Sequence, residues 1–272
     1  MKKIKLFKYE INYIEQKSSN PKGTIIYSTG YAGSMNDYNE IIKHFPEYDF
    51  YSLDYPGYGE TVAYSEQDYD IFLYAELIIE FIKQKQLKNI TLIGQSLGGA
   101  IVSLVYKTQP EIFNKVLLTA PVNLTTSNIK DRLEKIFFST SIEEYKIYAA
   151  QTYYKVEETK FNNPEFMTRR ENWIKMIKSN NLQAKGVKNL AKAVYDKDIL
   201  NKVHEAMKVL PSRYTWVMFG EKDNIIDQKN IKKYFETNVP QAKIIVIPEA
   251  DHNISDWQFD LFLKYLKEFL DL

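Results

Sequence analysis

Apolar and polar positions change rhythm along this chain, and the changes separate strands from helices. From Lys3 to Gln16 charged and apolar residues alternate, which predicts two short antiparallel strands meeting near Tyr9 and Glu10. "TIIYSTG" (Thr24 to Gly30) is a β-branched run stopped by glycine, the pattern of a buried strand entering a loop. "DFYSLDYPGYGE" predicts another strand, then a turn through Pro56, Gly57 and Gly59. Between Asp68 and Gln86 the apolar residues Ile71, Tyr74, Ala75, Ile78, Ile79 and Ile82 recur at helical spacing, with no Gly or Pro. "KNITLIGQS" then reads as strand, "LGGAIVSLVYKTQP" as a helix ending before Pro110, and "KVLLTAPV" as strand.

The alternation stops there. From Leu124 to Leu210 the pattern is helical and rich in aromatics, with no strand signal. Strand and helix resume with "YTWVMFGEKD", "DQKNIKKYFETNV", "AKIIVIPEADH" and "DWQFDLFLKYLKEFL". Strands alternating with helices predict an α/β fold, a mostly parallel central sheet covered on both faces. The expected division is a core formed by residues 1–123 and 211–272, with a helical cap (lid) at 124–210 inserted after the sixth strand. Such a cap would lie over the C-terminal strand ends, where ligands bind in open α/β sheets.

Composition narrows the partners. The 272 residues are 44% hydrophobic and 26% charged, with a net charge of +1, ordinary for a globular protein. No basic tract carries interleaved aromatics, so nucleic acid is not an expected partner. The absence of cysteine excludes disulfides, a thiol nucleophile and thiolate metal sites. No apolar run approaches the roughly 18 residues of a membrane span, and "MKKIKLFKYEINYIEQ" reads as strand rather than signal peptide. The cytoplasm is the expected location.

The chemistry gathers around "ITLIGQSLGGAIV". Ser96 stands between Gly94 and Gly98 where strand becomes helix, the setting of a nucleophile elbow. A strained turn crowds the serine Cβ, and glycines two positions away have no side chain to clash. The helix that follows points its N-terminus at the serine, favouring negative charge there. A serine needs a base, and there are three histidines. His44 reads as a surface residue and His204 as part of a solvated helix face. His252 ends the last strand, in "IIVIPEADHNISD", where a loop presents it beside Ser96. For the carboxylate that orients the base, "FGEKDNIID" offers Glu221, Asp223 and Asp227. Asp223 is the choice because Gly220 turns the chain and carries it over the strand ends. Glu221 is the fallback, Asp227 reads as a helix N-cap, and Asp251 is expected to point away from the histidine.

The order Ser96, Asp223, His252, with the elbow and with "DYPGYGET", resembles the α/β-hydrolase family across about residues 2–270. The second motif is similar to that family's Asp-x-x-Gly-x-Gly-x-Ser turn, with Thr61 in the serine's place; Asp54, Gly57 and Gly59 are read as structural. The resemblance implies an oxyanion hole formed by the backbone N–H groups of Leu97 and of Tyr31, which follows Thr29-Gly30 where relatives often have His-Gly. It also implies a serine hydrolase, carboxylesterase- or lipase-like, that cleaves an ester or similar acyl bond of a small substrate, and the aromatics of 124–210 favour an apolar one. The same residues would serve an acyltransferase or biosynthetic thioesterase, and some proteins of this fold act as small-molecule receptors. A serine rather than an aspartate nucleophile argues against dehalogenases and epoxide hydrolases. Phe138, Tyr148 and Trp173 are the expected pocket lining. No metal and no cofactor are expected: no His pair has ligand spacing, and neither a phosphate loop nor a dinucleotide fingerprint is present.

Overall fold

A computed structural model describes all 272 residues, the side chain of Ser212 excepted. Eight strands form one sheet: β1 (Lys2–Leu6), β2 (Tyr9–Gln16), β3 (Thr24–Ser28), β4 (Asp49–Leu53), β5 (Ile90–Gln95), β6 (Phe113–Thr119), β7 (Thr215–Gly220) and β8 (Lys243–Ile247). Their spatial order is β1-β2-β4-β3-β5-β6-β7-β8. β1 and β2 are antiparallel to each other, and β2 is antiparallel to β4; every other pairing is parallel. The first hairpin turns at Phe7 and Lys8, two residues earlier than the alternation suggests, and Phe7 takes φ 52° there.

Central strands are buried on both faces because helices cover both. Ile26, Leu92, Val116, Leu118, Val217 and Phe219 face one layer, while Ile25, Tyr27, Ile93, Leu117, Trp216 and Met218 face the other. That is the period of two expected of a strand. The short α1 (Asn39–Ile42) and the C-terminal α10 (Ile254–Trp257) and α11 (Phe259–Leu270) cover the second face. The first face carries α2 (Ile71–Lys85), α3 (Leu97–Thr108) and α9 (Gln228–Asn238). Asp70 begins α2 by accepting the Phe72 N–H, and Gln86 closes it in the left-handed region at φ 53°.

Between β6 and β7 lie α4 (Lys130–Phe137), α5 (Ile142–Thr152), α6 (Pro164–Lys178), α7 (Leu182–Tyr195) and α8 (Lys197–Met207). They are not one packing unit. Ile136, Tyr145, Ala149, Val156 and Ile174, from α4 to α6, form a small apolar cluster of their own. Leu190, Val194, Leu200, Val203 and Met207, from α7 and α8, belong to the main core. The helix α8 packs on α3, as the crossover helix between parallel strands must. The segment expected as a single cap is thus divided by its packing.

Candidate active site

Ser96 caps the N-terminus of α3 with φ 52° and ψ −118°, a region that a residue with a Cβ occupies only under strain. Backbone hydrogen bonds hold it there. Its N–H donates to Thr119 O at the end of β6 (2.9 Å), and its own carbonyl accepts from Gly99 (3.0 Å) and Val122 (2.9 Å). The flanking glycines are needed for close approach. A Cβ on Gly94 would stand 2.4 Å from the Gly98 carbonyl oxygen, and one on Gly98 would stand 2.0 Å from the Ser28 carbonyl oxygen. Neither distance is tolerable for a carbon, so β5, α3 and the end of β3 interlock only with glycine there.

The histidine and the carboxylate come from adjacent strand ends. His252 Nδ1 donates to Asp223 Oδ2 at 2.8 Å, since an ionised carboxylate accepts only. Asp223 is fully buried and takes a second hydrogen bond from the Ile225 N–H (2.8 Å). The loops carrying the pair are tied by Glu221 N–H to Ile247 O (2.8 Å) and Lys222 N–H to Ala250 O (2.9 Å). Gly220 does more than turn the chain, because a Cβ there would meet the Ala250 carbonyl oxygen at 2.2 Å. Burial opposes protonation of His252, but the charge and hydrogen bond of Asp223, with the Asp251 carboxylate adding, outweigh it. The imidazole pKa is raised above its ordinary value.

The other acids have separate partners. Asp251 accepts the His252 N–H (2.7 Å) and the Tyr154 N–H (3.0 Å) rather than meeting the imidazole. Burial, then the nearby Asp223 charge, pushes its pKa up. Glu221 pairs with Lys222 (3.3 Å). Asp227 occupies an N-cap position but makes no N-cap bond, taking Asn128 (2.7 Å) and Asn230 (2.8 Å) side-chain amides instead. His44 is exposed, its ring edge-on to Phe259. His204 is half-buried and bonds the Tyr234 hydroxyl at 2.9 Å, more than a solvated face would predict.

Ser96 and His252 line one cavity of about 660 Å³, with Gly30 and Tyr31 on its wall. The Tyr31 ring is engaged elsewhere: its hydroxyl donates to Val187 O (2.8 Å) and its face stacks on Phe137 (4.7 Å). The turn of Asp54, Gly57 and Gly59 is structural. Asp54 accepts the Met35 N–H (2.8 Å), Gly57 and Gly59 have positive φ, and Thr61 accepts the Asn12 N–H (3.0 Å).

The expected lining is displaced by one residue or one layer. Phe137, Tyr153, Phe166 and Trp257 line the cavity; Phe138, Tyr148 and Trp173 do not. Phe138 packs on the main core, edge-on to Phe137, and Tyr148 lies against the small cluster of α4 to α6. Trp173 stands behind the wall and donates its indole N–H to Phe137 O (2.7 Å). Neighbouring helix positions diverge by about 100°, so the dense aromatic block could not reveal which ring turns inward. Charged side chains share the wall as well: Asp37, Lys160, Arg169, Asp251 and Asp256. This is more polar than an apolar pocket.

A mostly parallel eight-stranded sheet with a strained serine between β5 and α3 is the architecture of the α/β-hydrolases, and the comparisons agree. The sequence profile of the family described as serine aminopeptidase, S33, matches residues 19–256, and the chain belongs to that family. The protein "Putative esterase/lipase 2" of Mycoplasma genitalium is 26% identical over 258 residues, covering 94% of this chain and 91% of its own. The structure titled "Est816 as an N-Acyl homoserine lactone degrading enzyme" is similar with a TM-score of 0.78 at 15% identity, covering 98% of this chain and all of its own. An esterase from Exiguobacterium antarcticum is similar with a TM-score of 0.73 at 19% identity, covering 97% and 96% of the two chains. The protein is an α/β-hydrolase enzyme of the esterase/lipase type. No helix among the described residues is long and apolar enough to cross a membrane.

Proposed function

We propose that the protein is a serine hydrolase that cleaves an ester or similar acyl bond of a small substrate through an acyl-enzyme. Ser96 Oγ attacks the carbonyl carbon, and His252 Nε2 takes its proton. The tetrahedral intermediate collapses as His252 returns that proton to the leaving group. Water, deprotonated by the same imidazole, then releases the acid and regenerates Ser96. Asp223 holds the tautomer with the proton on Nδ1 and stabilises the imidazolium. The N–H groups of Leu97 and Tyr31 hold the oxyanion; the first lies at the start of α3, where the dipole adds to the effect.

The observation that carries this reading is a strained serine sharing one cavity with the histidine of a buried His–Asp pair. Strain of that kind persists where the surrounding structure enforces it, and it gathers at functional sites. Intact-mass analysis after fluorophosphonate treatment tests it. One adduct is expected on the wild type and none on Ser96→Ala or His252→Ala. A folded wild type that takes no adduct would refute an activated serine.

A further inference from the structure

The charges on the cavity wall differ in how far the protein has already satisfied them. Asp37 accepts from the Thr29 hydroxyl and the Ser34 N–H. Asp251 accepts two backbone N–H groups, and Asp256 takes the Asn253 side-chain amide at 3.2 Å. Arg169 is paired with Glu165 at 2.5 Å. Lys160 is the exception. Among the described residues its ammonium has no carboxylate within ion-pair distance and no hydrogen-bond acceptor; it rests between the rings of Tyr153 (4.2 Å to the centroid) and Phe166 (4.8 Å). Both rings line the same cavity.

Lys160 is half-buried, and aromatic faces attract a cation without supplying the hydrogen-bond acceptors that the water it has shed would give. Burial accordingly lowers the Lys160 pKa; the more distant Asp251 and Asp256 charges act the other way, and Arg170 adds to the lowering. Arg170 has its guanidinium 3.9 Å over the Tyr145 ring, donates from Nη2 to Ile136 O, and keeps a Nε–H without an acceptor and no carboxylate partner. Lys160 lies near enough to His252 for its charge to oppose protonation of the imidazole. It sits in a π-helical turn, Glu157–Phe161, a rare geometry that recurs at functional sites.

We propose that Lys160 is the anchor for an anionic group of the substrate, so that the preferred acyl compounds carry a carboxylate or phosphate on the acyl chain or on the leaving group. This rests on the serine hydrolase reading above and specifies its substrate class. The anion supplies the acceptor that the ammonium lacks, inside a wall whose carboxylates already have donors. Lys160 acts in binding and does not touch the reacting atoms.

Matched activated esters test this. Nitrophenyl hexanoate is compared with nitrophenyl hemiadipate, which places a carboxylate on the acyl chain, and with the hexanoate of a carboxylated nitrophenol, which places it on the leaving group. The 6-aminohexanoate ester supplies the opposite charge. One of the two anionic esters is expected to exceed the neutral one in kcat/KM by roughly 10–100-fold, the range of a charge-assisted hydrogen bond. That ratio should collapse in Lys160→Met, chiefly through KM, and be retained in Lys160→Arg. A corresponding phosphate ester in place of the better carboxylate distinguishes the two anions. A ratio indifferent to Lys160, or a preference for the cationic ester, overturns the proposal while leaving the hydrolase reading intact if Ser96 is still labelled. Absence of both ester turnover and labelling would remove both.

Discussion

The strand ends and the helices α4 to α6 meet at one cavity but are constructed by different means. At the strand ends, backbone holds the proposed catalytic residues. Ser96, Asp223 and His252 follow β5, β7 and β8, and Gly94, Gly98 and Gly220 let the chain segments approach within distances that any Cβ would obstruct. In α4 to α6, side chains do the work. A cluster of five buried residues supports a wall of rings and one ammonium without a protein acceptor. Rate should therefore depend on the strand ends in an all-or-none way, whereas selectivity should vary by degrees with the helices.

The sharpest test of that contrast is Ser96→Ala, which should lower kcat by about 10⁶ while the protein stays folded, since nucleophile and base act as a unit. A stopped-assay comparison with circular dichroism checks both halves. Asp223→Asn should cost about 10⁴ in kcat by losing the tautomer that presents Nε2 as a base; retention of full activity would leave another acid, with Glu221 first in line, as the orienting group. Gly98→Ala should destabilise the fold by about 1–3 kcal/mol, because the added carbon meets the Ser28 carbonyl and the cost is overpacking. Thermal melts read this, and a neutral result would mean that the interlock is slack.

A smaller effect concerns pH. In the proposed mechanism the base must be neutral to act, and His252 holds its proton more tightly than an ordinary imidazole. The kcat/KM for a neutral ester should thus rise with pH through an apparent value above about 6.5. Residual activity of Asp223→Asn should rise at lower pH, since the largest raising influence is gone. A wild-type limb at or below the ordinary histidine value would contradict this. On the helical side, Trp173→Phe removes the indole bond to Phe137 O and should cost about 1 kcal/mol of stability. Its signature is a shifted preference among acyl chain lengths, as Phe137 loosens on the cavity wall.

The two regions were not equally legible from the amino-acid order. Six strands follow from local apolar runs and the first two from alternation of charged and apolar residues, and "GQSLGG" identifies the elbow because its glycines answer a steric demand made by adjacent positions. With three histidines in the chain, elimination and its place after the last strand single out His252 as the proposed base. Asp223 was separable from Glu221 and Asp227 only by turn geometry. The contact that pairs it with His252 at 2.8 Å joins residues 29 apart.

Much less could be read in the helical segment. "FFSTSIEEYKIYAAQTYY" marks an aromatic region, but whether Phe137 or Phe138 faces the cavity depends on how α4 is rotated against Tyr31 and Trp173. Lys160 carried no sequence signal, because a lysine becomes a candidate only when its neighbours prove to be rings rather than acids. The sequence by itself determined the alternation of strand and helix, the turn that holds Ser96, and the short list from which the proposed base and acid are drawn. These depend on local backbone preference and on residue types too rare to confuse. Tertiary structure alone decided which acid meets the histidine, which rings line the cavity and which charge is left without a partner, since those depend on the rotation and packing of elements distant along the chain.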